Sequence, residues 1–256
     1  MPPGAISDAT ILLDEALKIV ELGKETAIPL RIFGAVAIVH HCPRYSYLFG
    51  MMGRKFGDID LASYERYSSG VAQLIAGLGY EEDKTVTAFG GGRLIFRRQS
   101  DGIHCDVFLG RLQMSHTLSF EHRLELDYPT IPLADLLLAK MQIFKLNEKD
   151  AIDTIVLLRE HRLASSDEEA VNSEYIAQLC AKDWGLWRTV TGNLAKVSAL
   201  LHGYGALDDA DKADVSEKIK TLLSSLESGP KSLGWKVRAR VGESRKWYNE
   251  VEDLYR

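Results

Sequence analysis

"KFGDIDLASY" (Lys55–Tyr64) sets two carboxylates, Asp58 and Asp60, one residue apart in a run that otherwise reads as a β-strand. Side chains alternate across a strand, so both acids project from one face. Like charges that close repel, and strands are depleted of them unless a positive charge lies between them or one stays protonated. The stretch therefore raises the question of a cation, with a solvated strand end as the plainer alternative. Its surroundings decide between the two.

Before it, "PLRIFG" reads as a short buried strand ending at Gly34, and a glycine there favours a tight strand-to-helix turn into "AVAIVHH". "CPRYSYLFGMMGRKFG" has no clear period and reads as a loop. After the acidic strand, "YERYSSGVAQLIAGLGY" reads as a helix. "RLIFRRQSDGIHCDVFLG" reads as two strands joined at Ser100-Asp101-Gly102. Alternation in the second of these puts His104, Asp106 and Phe108 on one face. Asp106 then stands among apolar neighbours, where a carboxylate without a partner costs several kcal/mol.

A helix starting at Ser7 or Asp8 precedes all of this, and one more short strand is expected near "RLELDYPTI". Pro132 is placed to open a helix. From there the chain reads as helical through to a final "WKVRARVGESRKWYNEVEDLY", whose tryptophans face the core or, alternatively, stack on bases. The organisation expected is a mixed α/β part over residues 1–130 and a helical region over residues 131–256.

Composition is that of an ordinary globular chain of 256 residues, 46% hydrophobic and 26% charged. A net charge of −5 argues against wholesale wrapping of nucleic acid. Cys42, Cys105 and Cys180 lie far apart with no metal or redox spacing, which fits a reducing compartment. No apolar run reaches about 18 residues and the N-terminus lacks signal-peptide character, so a cytoplasmic protein without membrane contact is expected.

Three features converge: a strand ending in a glycine turn, Asp58-x-Asp60, and Asp106 on a strand 46 residues after Asp60. Carboxylate oxygens are the hard ligands magnesium prefers, and triphosphates complete its shell. This pattern resembles the nucleotidyltransferase superfamily with its polymerase-beta-like fold: apolar strand and glycine turn in "RIFGAVAIVHH", paired acids in "FGDIDLAS", third acid in "IHCDVFLG". Within it, "LLLAKMQIFKLNEKDAIDTIVLL" is similar to the AbiEii-type toxins of type IV toxin–antitoxin systems. The likeness covers roughly residues 28–160. Ala35 stands where the family usually has Gly or Ser, and the spacer before Asp58 is longer, as though "PRYSYLFGMMGRK" were inserted.

The resemblance implies an α+β fold with a mixed β-sheet and flanking helices. It implies Mg²⁺ or Mn²⁺ on Asp58, Asp60 and Asp106, with Asp106 taking the acceptor's proton. The family's lysine-bearing helix places Lys140 at the triphosphate, while Gly34 and Ala35 read as backbone donors to the phosphates of a nucleoside triphosphate or as a simple tight turn, and Arg54 and Lys55 as triphosphate contacts or as solvated loop charges. The acceptor hydroxyl would belong to an RNA 3′ end, a protein or a small molecule, with an antitoxin protein as a further partner. Lys149, Asp150 and Asp153 read either as part of that site or as a solvated helix start. The alternative for the whole chain is a degenerate module that binds a nucleotide or a partner without turnover.

Overall fold

Gly34 decides where the first strand stops. Its φ of +67° is a left-handed conformation that L side chains rarely adopt, and it turns β1 (Arg31–Phe33) directly into α2 (Gly34–His41). The computed structural model describes residues 4–84 and 92–251. These divide into two compact units, one of residues up to 113 with 117–132, the other of 114–116 with 133 onward.

The first unit begins with α1 (Gly4–Glu25), which starts earlier than the Ser7 or Asp8 cap. Its buried Leu12, Ala16, Ile19 and Val20 recur at helical spacing. After α2, the stretch read as a loop contains a short helix, α3 (Tyr47–Met51), with Leu48 and Phe49 buried. β2 (Asp58–Ser63) follows, then a single 3₁₀ turn and α4 (Ser68–Gly77), which stops before β3 (Tyr80–Glu82). β4 (Arg93–Arg98) and β5 (His104–Leu109) form the expected antiparallel pair.

These strands make one mixed sheet in the order β1-β2-β5-β4-β3, in which only the central pair, β2 and β5, runs parallel. One face carries Ile32, Ile59, Leu61, Cys105 and Val107, all with no exposure. α1 and α2 lie against β1 and β2. On the other face, Phe33 meets Phe108 and Phe120 edge-on at ring distances of 5.4 and 5.8 Å. No strand forms near residues 123–131: that segment meets β1 through one isolated bridge, Ile32 to Thr130, and through Arg31 Nε, which donates to the carbonyl of Asp127 at 2.7 Å. The pairing β6 (Arg111–Gln113) with β7 (Thr117–Ser119) stands earlier in the chain instead.

The second unit opens after Pro132 with α5 (Leu133–Met141), followed by α6 (Glu148–Glu160), a short pair β8 (Leu163–Ala164) with β9 (Val171–Asn172), then α7 (Ser173–Lys182), α8 (Trp184–Leu201), α9 (Asp209–Ser228) and α10 (Leu233–Val241). Side chains cap five of these helices: Asn147, Asn172, Asp183, Asp208 and Ser232 each accept a first-turn backbone N–H, a stabilisation of about 1 kcal/mol apiece. Val215, Ile219, Leu222 and Leu226 form the buried stripe of α9.

The terminal helix expected through Tyr255 ends at Val241, because Gly242 takes φ +57°. Trp247 and Tyr248 nonetheless pack inward from the irregular segment beyond. Trp247 donates to Thr189 Oγ1 at 3.2 Å, and Tyr248 stacks on Phe144 with ring centroids 3.5 Å apart. The last residues of that expected helix, 252–255, lie outside the described residues. Cys42, Cys105 and Cys180 are buried and form no disulfide among the described residues, and no described helix is long and apolar enough to cross a membrane.

Candidate active site

The register of the central pair positions the acids. Asp60 is the direct neighbour of Asp106 across β2 and β5, and Asp58 that of His104. Direct neighbours share a face, so Asp58, Asp60, His104 and Asp106 stand on one side of the sheet. Asp58 is exposed, Asp60 half-buried and Asp106 only 6% exposed.

Asp60 is held against the glycine turn. A Cβ on Gly34 would lie 2.2 Å from Asp60 Oδ2, so any side chain there would collide with the carboxylate. The contact sets a negative charge beside the N-terminus of α2, where the helix dipole favours it. Ala35 is the next residue, buried in the first turn of α2.

Asp106 has a partner that the sequence pattern did not assign to it. Arg93 pairs with Phe108 in the β4–β5 register, which puts it diagonally across from Asp106 on the same face, and its guanidinium forms an ion pair with Oδ2. Oδ1 of Asp106 and Nε of Arg93 are both buried without a hydrogen-bond partner among the described residues. Burial drives the Asp106 pKa upward, the Arg93 charge opposes that, and the Asp58 charge adds to the rise. The signal that finds Arg93 is the hairpin register: once the turn at Gly102 is drawn, a long side chain at position 93 reaches position 106.

Three further residues were expected at the nucleotide: Arg54, Lys55 and Lys140. Arg54 is buried, donates to the carbonyl of Lys55 and lies over the Phe56 ring at 4.6 Å, while Lys55 is exposed. Lys140 belongs to the second unit, where it pairs with Asp150 at 3.0 Å and Asp153 at 2.9 Å. Asp150 and Asp153 are 9% and 0% exposed, which overturns the solvated helix start: they are buried because Lys140 neutralises them, and only Lys149 is exposed.

In kind, the donor set suits a hard divalent cation: carboxylate oxygens, one of them buried and without a partner. In arrangement it is incomplete, since among the described residues no three acidic, histidine or cysteine side chains are grouped to hold a metal. Arg93 supplies positive charge at Asp106. The chain matches no protein-family model, no curated protein and no solved structure.

Proposed function

We propose that this chain is a nucleotidyltransferase dependent on magnesium or manganese, with Asp58, Asp60 and Asp106 as the metal ligands. The observation that carries the reading is the parallel register that sets Asp60 beside Asp106 while Asp60 rests on the Gly34 turn. When bound, the metal supplies Lewis-acid stabilisation to the phosphate oxygens. The acceptor hydroxyl oxygen bonds to the α-phosphorus, and the bond from that phosphorus to the bridging oxygen breaks with its electron pair leaving on pyrophosphate. The hydroxyl proton passes to Asp106, whose burial makes it a better base than an exposed carboxylate. Amides at Gly34 and Ala35, and the exposed Lys55, are the groups read as phosphate contacts. The acceptor implied by the resemblance is an RNA 3′ end, in the setting of a toxin with an antitoxin partner.

A second reading is favoured by the Arg93 ion pair and by the lack of a grouped metal set: a degenerate module that binds a nucleotide or a partner without turnover. Thermal unfolding with each nucleoside triphosphate, with and without magnesium, separates the two. Transferase chemistry predicts a magnesium-dependent stabilisation of roughly 2.7 kcal/mol at about 100 times the dissociation constant. It also predicts loss of that response in Asp60→Asn, and pyrophosphate release by the unmodified chain when an RNA acceptor is added. A response indifferent to magnesium and to Asp60→Asn sinks it in favour of the binding module.

A further inference from the structure

α10 carries an apolar stripe that the described residues leave open. Leu233 and Val237 are 81% and 63% exposed, the highest values for large apolar side chains among the described residues, and Val241 follows at 39%. Spacing at i, i+4 and i+8 puts all three on one side of the helix, over a length of roughly 12 Å. Single exposed apolar residues are ordinary, but three in helical register make a patch. By the same helical step Lys236 and Arg240 border the stripe along one edge, and both are exposed. α10 contains no acid, and the acids that follow it are engaged, Glu243 with Arg188 at 2.6 Å and Glu250 with Lys246 at 2.8 Å. Lys236 and Arg240 make no ion pair among the described residues. The opposite side of α10 holds it to its unit: Trp235 meets the Trp187 ring edge-on at 5.2 Å, and Arg238 lies over Trp184 at 4.6 Å while donating to the carbonyls of Gly242 and Arg245. A helix of nine residues does not persist on propensity alone, so these contacts keep it folded. None of them uses the stripe, and the fold has no need of leucine and valine there.

We propose that this face of α10 is a docking surface for an amphipathic helix of a partner protein, one whose apolar residues are bordered by Asp and Glu. Leu233, Val237 and Val241 take the partner's apolar side chains, and Lys236 and Arg240 meet its carboxylates. Charge selects this occupant. The cations are confined to a strip beside the stripe, while the chain as a whole carries −5. A bilayer rich in anionic lipid repels the bulk of such a protein, whereas a narrow acidic helix meets only the strip. A second copy of the chain in a two-fold contact would bring the same cations face to face, which like charge opposes. A contact of this size lies at the low end of specific interfaces, so the complex is reversible. The surface stands whatever the chemistry of the first unit.

The test titrates the full chain into a short fluorescent peptide of Glu, Leu and Ala whose leucines recur every fourth residue between glutamates. A comparison peptide carries Lys for Glu. The proteins are the unmodified chain, the pair Leu233→Gln with Val237→Gln, and the pair Lys236→Glu with Arg240→Glu. All four positions are exposed, so the variants should melt with the unmodified chain. The unmodified chain binds the acidic peptide at least about tenfold more tightly than the lysine peptide, the glutamine pair weakens that binding about tenfold, and the charge reversal inverts the preference between the peptides. Equal affinity for the two peptides, no binding of the acidic one, or a charge reversal without effect overturns the proposal. Binding to phosphatidylglycerol vesicles that the glutamine pair abolishes, with no peptide bound, assigns the face to a membrane surface instead. A dimer in sedimentation velocity that the glutamine pair dissolves assigns it to a second copy, and either result sinks the acidic helix.

Discussion

Asp106 in the first unit and Asp153 in the second have side chains 9% and 0% exposed, yet the fold treats them in opposite ways. Asp153 shares Lys140 with Asp150, and both acids lie within 3.0 Å of the ammonium. Close by in the same unit, Arg159 binds Asp211 at 2.6 Å, while Lys218 binds Asp214 at 2.7 Å and the carbonyl of Leu158 at 2.8 Å. Those clusters are complete in themselves. Asp106 has one oxygen engaged and one without a partner among the described residues. A buried charge whose partners are all internal serves the architecture. One left half-satisfied is a candidate position for a ligand.

The comparison breaks first at Lys140. Lys140→Met strands two buried carboxylates, and the expected loss is roughly 3 kcal/mol in urea unfolding. A loss under about 1 kcal/mol would mean that the acids protonate at little cost, and the cluster would no longer count as architecture. Gly34→Ala comes next. It forces a Cβ into the left-handed region and onto Asp60 Oδ2, for a loss of about 2 kcal/mol in thermal unfolding. Any nucleotide response should fall with it, whereas Lys140→Met acts through stability.

The smallest effect concerns a neutral buried group. His116 Nε2 lies 2.8 Å from Thr189 Oγ1, and burial holds the pKa of His116 below its ordinary 6.5 against the opposing pull of Asp183. The unfolded chain therefore binds the proton first. The stabilisation from this histidine is whole above pH 6.5, is lost as pH falls below 6.5, and levels off beneath the lowered folded value. His116→Gln should flatten that part of the melting-temperature profile between about pH 7.5 and 5. An unchanged slope would show that other groups carry it.

Features whose cause is local were legible in the sequence. The Gly34 turn, the alternation in "DIDLAS" and the hairpin around Gly102 each rest on a few adjacent residues, and each formed as read. Burial of Asp106 followed from its alternation with Cys105 and Val107. Short elements escaped. β6 and β7 bury one residue each, Leu112 and Leu118, too few to show a period, and α3 spans five residues inside a glycine-rich run. The terminal helix was overextended because charge and apolar residues continue past Gly242 while the backbone does not. The pairings Arg93–Asp106 and Lys140–Asp153 depend on register and helix packing, which are tertiary facts. Lys140 in particular reads the same from sequence whether it faces a phosphate or two aspartates of the next helix.

The parallel pairing of β2 with β5 has a consequence for how the carboxylate face comes into being. The 40 residues between Ser63 and His104 must be gathered in before Asp60 gains Asp106 as its neighbour. Parallel strands cannot zip from a tight turn, and non-local pairing of this kind is slow to nucleate. β4 and β5 can meet early as a local hairpin, carrying Arg93 and Asp106 together. The order expected from these separations brings Asp106 to its arginine before it brings it to Asp60. In that order the ion pair is the first partner of the Asp106 carboxylate, and the face is complete once β2 docks.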